Sequence, residues 1–250
     1  MNAIGIIPAR YASSRFPGKS LADILGKPMI QWVYERANRT KFLDKVIVAT
    51  DDQRIFDTVT NFSGNVVMTS PTAANGTERV AEVAQNLDSK LIVNIQGDEP
   101  LIDPGVIDQL VILMQENPAA PVGTLVKKIE DVENLINPNI PKVVLDKDFY
   151  ALYFSRSIIP YHRDLIDQRK WIRNEKYYQH IGLYIYRREF LLKFVKLPMS
   201  NLERIERLEQ LRILENGYKI KVALTETDSI GVDVPSDIDR VISYIHGRAA

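Results

Sequence analysis

The sequence predicts an α/β fold: a Rossmann-like, mostly parallel sheet with a small antiparallel subdomain. Three observations carry that expectation. Short apolar runs at residues 4–7, 46–49, 91–95 and 143–145 have the length and composition of strands buried on both faces. Helical patterns separate most of them, the alternation that lays crossover helices on a parallel sheet. Finally, 250 residues with 45% hydrophobic content can build one large core, and no repeat, low-complexity tract or composition shift marks an interdomain linker. Residues 1–250 are therefore expected to form a single domain.

The elements follow in chain order. After the first run, Pro28 is placed to open a helix, with Met29, Val33 and Ala37 on one apolar stripe and Ile30 and Tyr34 beside it. Asp103 followed by Pro104 reads as an N-cap and first helical residue. Residues 142–186 are rich in aromatics and are expected to supply the antiparallel subdomain. Ser200 with Glu203 forms a capping-box pattern, opening a helix that carries Leu202, Ile205, Leu208 and Leu211 inward and ends at Gly217. Pro235 is the expected first residue of a closing helix.

Composition removes several function classes. Cysteine is absent, so disulfides, thiolate metal sites and cysteine nucleophiles are excluded together, which suits a reducing compartment. His162, His180 and His246 are too scattered for zinc spacing. Lys plus Arg and Asp plus Glu both number 32, leaving no global field to attract nucleic acid or an anionic membrane. The opening MNAIGIIPAR lacks a basic n-region, and no segment reaches the roughly 20 apolar residues of a membrane helix. A cytoplasmic protein without nucleic-acid or membrane partners is expected.

The sharpest local feature is RYASSRFPGK, residues 10–19, directly after the first strand, where α/β folds bind ligands. Small residues Ala12, Ser13, Ser14 and Gly18 admit close backbone approach, while Arg10, Arg15 and Lys19 supply positive charge, a composition suited to a triphosphate. PGKS invites a P-loop reading, but GxxxxGK[ST] requires glycine where this chain has Ser13. Short basic clusters also occur as solvated surface, so spacing alone leaves both readings open. The QGDEP segment, residues 96–100, puts Asp98 just past another strand end, and IGVDVPSD puts Asp233 ahead of the closing helix. Each could serve as a magnesium ligand or as a cap or turn residue. NGTERV, residues 75–80, reads as a helix start with Asn75 as N-cap.

Residues 4–19, IGIIPARYASSRFPGK, resemble the signature of the sugar-nucleotide cytidylyltransferases, especially the CMP-Kdo synthetases. QGDEP, GVD, GTER, YFSRSIIPYHRD, HIGLY and LERIERLEQLR extend the likeness along the chain. It implies a sheet of the nucleotide-diphospho-sugar transferase type. It also implies transfer of CMP from CTP to 3-deoxy-manno-octulosonate (Kdo), an acidic eight-carbon sugar, for lipopolysaccharide biosynthesis. The alternative is the same chemistry on an 8-amino relative or an N-acylneuraminate. Carried onto this sequence, the resemblance implies Mg²⁺ on Asp98 and Asp233, with Arg10 and Lys19 completing the catalytic set. CTP contacts are implied at Pro8, Ala9, Arg10, Ala12, Ser13, Ser14, Arg15, Lys19, Gly76, Thr77 and Arg79. Sugar contacts are implied at Gln96, Arg156, Arg163, His180, Tyr184, Glu209 and Gln210. A homodimer is implied too, with the subdomain near 142–186 contributing to sugar binding or dimerisation. Glu99 is a weaker metal candidate, because its side chain should alternate away from that of Asp98.

Overall fold

A computed structural model describes residues 2–12, 16–228 and 230–248. Four strands build the first half of its sheet: β1 (Ala3–Ala9), β4 (Lys45–Thr50), β5 (Val66–Met68) and β6 (Leu91–Asn94). All are mutually parallel, in the order β6-β1-β4-β5. The two-residue strands β2 (Asp23–Ile24) and β3 (Lys27–Pro28) form a separate hairpin. Beyond β6 lie β10 (Tyr178–Arg187), β7 (Val122–Lys128) and β11 (Ile220–Leu224). Along this path β10 alone runs against its neighbours β6 and β7.

Residues alternate across this sheet and feed two cores. Ile7, Val48 and Val93 join a cluster with α1 (Met29–Ala37), α2 (Gln53–Asn61) and α4 (Pro104–Glu116). Their neighbours Ile6, Ile47 and Ile92 face α3 (Gly76–Ala84), α7 (Arg188–Phe194) and α9 (Gln210–Glu215). Helices thus cover both faces, as burial of a parallel sheet requires. Among the described residues no helix is long and apolar enough to cross a membrane.

Sequence-level caps account for several boundaries. Asp52, Asn75 and Asp103 each accept a backbone N–H in the first turn of their helix, and Met29, Ile30, Val33 and Ala37 are buried on α1 as the stripe predicted. Three expectations are corrected. Residues 143–145 do not extend the parallel sheet: they lie in β8 (Lys142–Leu145), which pairs antiparallel with β9 (Ala151–Ser155) and β10. Residues 142–186 therefore divide between that hairpin with α6 (Gln168–Asn174), off the main sheet path, and β10, which is inserted within it between β7 and β6.

The second correction concerns the helix expected from Ser200 to Gly217. Its capping box forms, but the helix breaks into α8 (Asn201–Glu206) and α9 at Arg207, which adopts a left-handed φ of 54°. Ile205 consequently points to solvent at 62% exposure, while Leu208 and Leu211 are buried. Arg156 explains the break: its Nε donates to the Glu206 carbonyl at 2.7 Å and its Nη2 reaches that of Arg207 at 3.4 Å, taking acceptors a continuous helix would use internally. Third, Pro235 lies in a turn and the closing helix α10 starts at Asp237 (Asp237–Arg248). The Asp237 carboxylate accepts from the N–H groups of Asp233 and Val234, so it organises the turn that holds Pro235 outside the helix.

Candidate active site

Strand order reverses between β1 and β6, because the chain leaves β1 toward β4 and β5 before returning to β6 on the other side. Loops at the carboxyl ends diverge at such a point and leave a crevice. A cavity of ≈ 300 Å³ lies there, lined by Pro8 and Ala9 at the end of β1, by Arg10 and Lys19 from the first loop, by Gly76 and Arg79 from α3, and by Gln96, Asp98 and Asp233. Most of the residues expected to catalyse or to bind nucleotide thus share one wall system. Ser13, Ser14 and Arg15 lie outside the described residues. Ala12 is exposed and is not among the lining residues.

Close backbone approach builds this crevice. The first loop closes on itself through Gly18 N–H donating to the Tyr11 carbonyl at 2.9 Å. Gly18 sits at φ +72°, and a Cβ there would lie 2.9 Å from the Tyr11 ring, so only glycine satisfies both constraints. The Tyr11 ring is in turn covered by the Arg54 guanidinium, 3.3 Å from its centroid. Gly97 lets the segment after β6 approach β1: a side chain would stand 2.9 Å from the Pro8 carbonyl oxygen.

Asp98 and Asp233 are far apart in the sequence, and their segments are joined by backbone. Val232 N–H donates to the Asp98 carbonyl at 2.9 Å, and Lys19 Nζ donates both to the Val232 carbonyl (3.0 Å) and to Asp98 Oδ2 (2.6 Å). Lys19 is therefore the side chain that bolts the two aspartate-bearing segments together, besides lining the crevice. Glu99 is buried and lines a different, small cavity with Ile102 and Val106; β6 has ended at Asn94 and residues 97–98 form a turn, so the turn and not strand alternation separates it from Asp98.

Arg79 is 3% exposed, donates to Thr69 Oγ1, and pairs with Asp51 Oδ2 at 2.8 Å. Sequence reasoning passed over Asp51 and Thr69. The signal for Asp51 was present, since it follows the carboxyl end of β4 just as Asp98 follows β6.

Beside the crevice, β10 carries a register shift between Ile181 and Tyr184. The carbonyl of Gly182 there accepts from Gln96 Nε2 at 3.1 Å, linking the crevice wall to the HIGLY segment. Asn94, Tyr184 and Thr124 stand side by side on β6, β10 and β7. Thr124 Oγ1 meets His180 Nε2 at 3.1 Å, and the His180 ring lies between those of Phe154 and Tyr184. Burial depresses the His180 pKa to about 3, which keeps the imidazole neutral. Glu209, just before α9, accepts from Thr77 Oγ1 at 2.6 Å, and burial raises its pKa against the opposing effects of Thr77 and Arg212. Gln210 is buried, and among the described residues neither its Nε2 nor Asn94 Oδ1 has a hydrogen-bond partner. Four of the residues expected to bind sugar, His180, Tyr184, Glu209 and Gln210, therefore come from β10 and from the start of α9 and its N-cap, elements that pack on the same core.

Arg156 and Arg163 do not join them. The Arg156 guanidinium donates to the carbonyls of Pro138, Glu206 and Arg207, and lines a separate cavity of ≈ 450 Å³ with Tyr161 and Trp171. Arg163 is exposed in the segment between β9 and α6.

Comparison with known proteins follows this geometry. Residues 4–220 match the family model described as cytidylyltransferase. The chain is 51% identical over 254 residues to a 3-deoxy-manno-octulosonate cytidylyltransferase of Geobacter sulfurreducens, covering 98% of this chain and all of that protein. It is 52% identical over 249 residues to the enzyme of the same name from Syntrophotalea carbinolica, covering 99% of this chain and all of that one. Among solved structures, a CMP:2-keto-3-deoxy-manno-octonic acid synthetase complexed with CTP superposes with a TM-score of 0.92 at 40% identity, over 99% of this chain and 100% of that chain. A 4-diphosphocytidyl-2C-methyl-D-erythritol synthase from Anaerococcus prevotii shares the fold at 15% identity, with a TM-score of 0.62 over 98% and 99% of the two chains. The chain belongs to the cytidylyltransferase family and is a nucleotidyltransferase.

Proposed function

We propose that this protein transfers CMP from CTP to Kdo, giving CMP-Kdo and pyrophosphate for lipopolysaccharide biosynthesis. The observation that carries the reading is the convergence of Arg10, Lys19, Asp98 and Asp233 on one crevice at the β1/β6 switch point, in a chain about half identical over its length to enzymes named for this reaction. The anomeric hydroxyl of the sugar attacks the α-phosphorus, and the α–β phosphoanhydride breaks as pyrophosphate leaves. Catalysis is positioning together with charge stabilisation, and no covalent enzyme intermediate is needed.

Two carboxylates face the crevice, and among the described residues no group of three His, Cys, Asp or Glu side chains is arranged to hold a metal. That donor set fits magnesium, which takes one or two protein carboxylates and completes its shell with phosphate oxygens and water. Asp98 and Asp233 are the residues that would hold it, and its chemistry there is to offset phosphate charge and acidify the attacking hydroxyl. Lys19, on a flexible stem beside Asp98, supplies a point charge to the leaving pyrophosphate, and Arg10 a planar fork. Arg79, fixed by Asp51 and Thr69, flanks the nucleotide. His180, Tyr184, Glu209, Gln210 and Gln96 face the sugar. Arg156 and Arg163 remain proposed sugar contacts only on the strength of the family motif.

The reading extends to a cytoplasmic homodimer. The exposed apolar side chains Leu152, Tyr161 and Ile166, at 60%, 76% and 98% exposure, support association through the antiparallel region. The deciding experiment for the function is pyrophosphate release with CTP and a panel of Kdo, 8-amino-3,8-dideoxy-manno-octulosonate and N-acetylneuraminate. Fastest turnover is expected with Kdo, and absence of turnover with Kdo would sink the reading.

A further inference from the structure

We infer that the Thr77 hydroxyl is a positioning group for the sugar, through Glu209, and is not a nucleotide contact. This rests on the reading of Glu209 as a sugar ligand and deepens it. Thr77 stands in the first turn of α3, next to crevice-lining Gly76, and is 4% exposed. Its hydroxyl has one proton, and that proton is given to Glu209 Oε2 at 2.6 Å, a charge-assisted bond across 132 residues of sequence. Having given that proton, the hydroxyl has none for a phosphate or ribose oxygen. The lone-pair side of Thr77 Oγ1 is approached by Asn94 Nδ2 at 3.5 Å. Any hydrogen bond that Thr77 donates to nucleotide is therefore left to its backbone amide, its hydroxyl keeping acceptor capacity only.

Glu209 needs such a partner. Its side chain is 33% exposed, and Arg212 reaches its other oxygen, Oε1, only at 3.4 Å. Arg212 is itself committed to Glu203 through Nε (2.8 Å) and Nη2 (2.7 Å). Thr77 is thus the short contact that fixes the carboxylate rotamer, and Gln210 Nε2 and Asn94 Oδ1, without partners among the described residues, are both buried polar groups with capacity for ligand hydroxyls. The consequence is a direct mechanical link: the helix turn that borders the nucleotide crevice also holds the group that meets the sugar.

The test is steady-state kinetics on the whole enzyme with Thr77→Val and Thr77→Ser. Loss of a hydrogen bond to a charged group predicts a rise of about tenfold or more in the KM for Kdo in Thr77→Val, with the KM for CTP within about twofold of wild type. Serine keeps the hydroxyl and should restore the Kdo KM. A raised CTP KM with unchanged Kdo KM, or no change in either, overturns the inference, as does a serine variant no better than valine. If the valine variant does not fold, Thr77→Ala removes the hydroxyl without a new methyl at its position. Should neither fold while serine does not rescue kinetics, Thr77 is structural and the inference is wrong. Wild-type enzyme inactive on Kdo would instead refute the functional reading itself, so the two failures are distinguishable.

Discussion

The nucleotide side and the sugar side of this molecule are assembled differently. Around the nucleotide crevice, the polar residues sit within a few residues of a strand or helix end: Arg10 after β1, Asp51 after β4, Asp98 after β6, Arg79 in the first turn of α3. Around the sugar, the residues depend on a strand inserted backwards into the sheet, a register shift within it, and a helix broken at Arg207. Local chain geometry places the residues of the first region at element ends, and a few long-range hydrogen bonds, such as those of Lys19 to Asp98 and Val232, then join its segments. Long-range contacts build the second, and it should be the more easily disturbed by substitutions that touch no ligand.

That contrast can be broken or sharpened. The largest effect is expected on the nucleotide side from Asp98→Asn, which removes charge at the reacting phosphate while keeping shape. Turnover, read by pyrophosphate release, should fall on the order of 10³-fold with the thermal midpoint little changed. Near-wild-type activity would remove Asp98 from the metal site.

Next in size is Arg212→Met on the sugar side. The Arg212 and Glu203 side chains are 6% and 7% exposed and hydrogen-bond bidentately, so removing one charge leaves the other buried and unpaired. Urea unfolding should report a loss of about 3–5 kcal/mol, and combining it with Glu203→Leu should recover much of that. If Arg212→Met melts like wild type, the sugar side does not rely on this buried pair.

The smallest effect is a pH dependence. His180 is neutral in the folded protein because burial holds its pKa near about 3, whereas an unfolded histidine titrates near about 6.5. The unfolded chain then binds a proton the folded chain does not, so this contribution to stability is complete above about pH 6.5 and declines as pH falls toward about 3. Between pH 7.5 and 5.5 the loss should be about 1 kcal/mol, and His180→Gln should flatten it. Equal slopes for the two proteins would mean that His180 is accessible to protons in the native state.

Much of the nucleotide side was legible because a loop at a strand's carboxyl end declares itself by local composition: small residues, a glycine and a few charges after an apolar run. Asp51 shows the limit of that reading. It occupies an equivalent place after β4 and was overlooked because nothing nearby in sequence announces Arg79 as its partner. On the sugar side the spacing of Leu202, Ile205, Leu208 and Leu211 fits an unbroken helix, and it misled. Arg156, about fifty residues earlier, takes the carbonyls of Glu206 and Arg207 and decides otherwise.

The sequence alone determined the α/β class, the caps of α3, α4 and α8, and the place of the first loop, because apolar periodicity and capping chemistry act over a few residues. Only tertiary structure decided that residues 143–145 leave the parallel sheet, that β10 enters it antiparallel, that Lys19 joins Asp98 to Val232, and that Thr77 reaches Glu209. Those outcomes depend on strand pairing and on hydrogen bonds between groups far apart in the chain, for which local residue preference carries no signal.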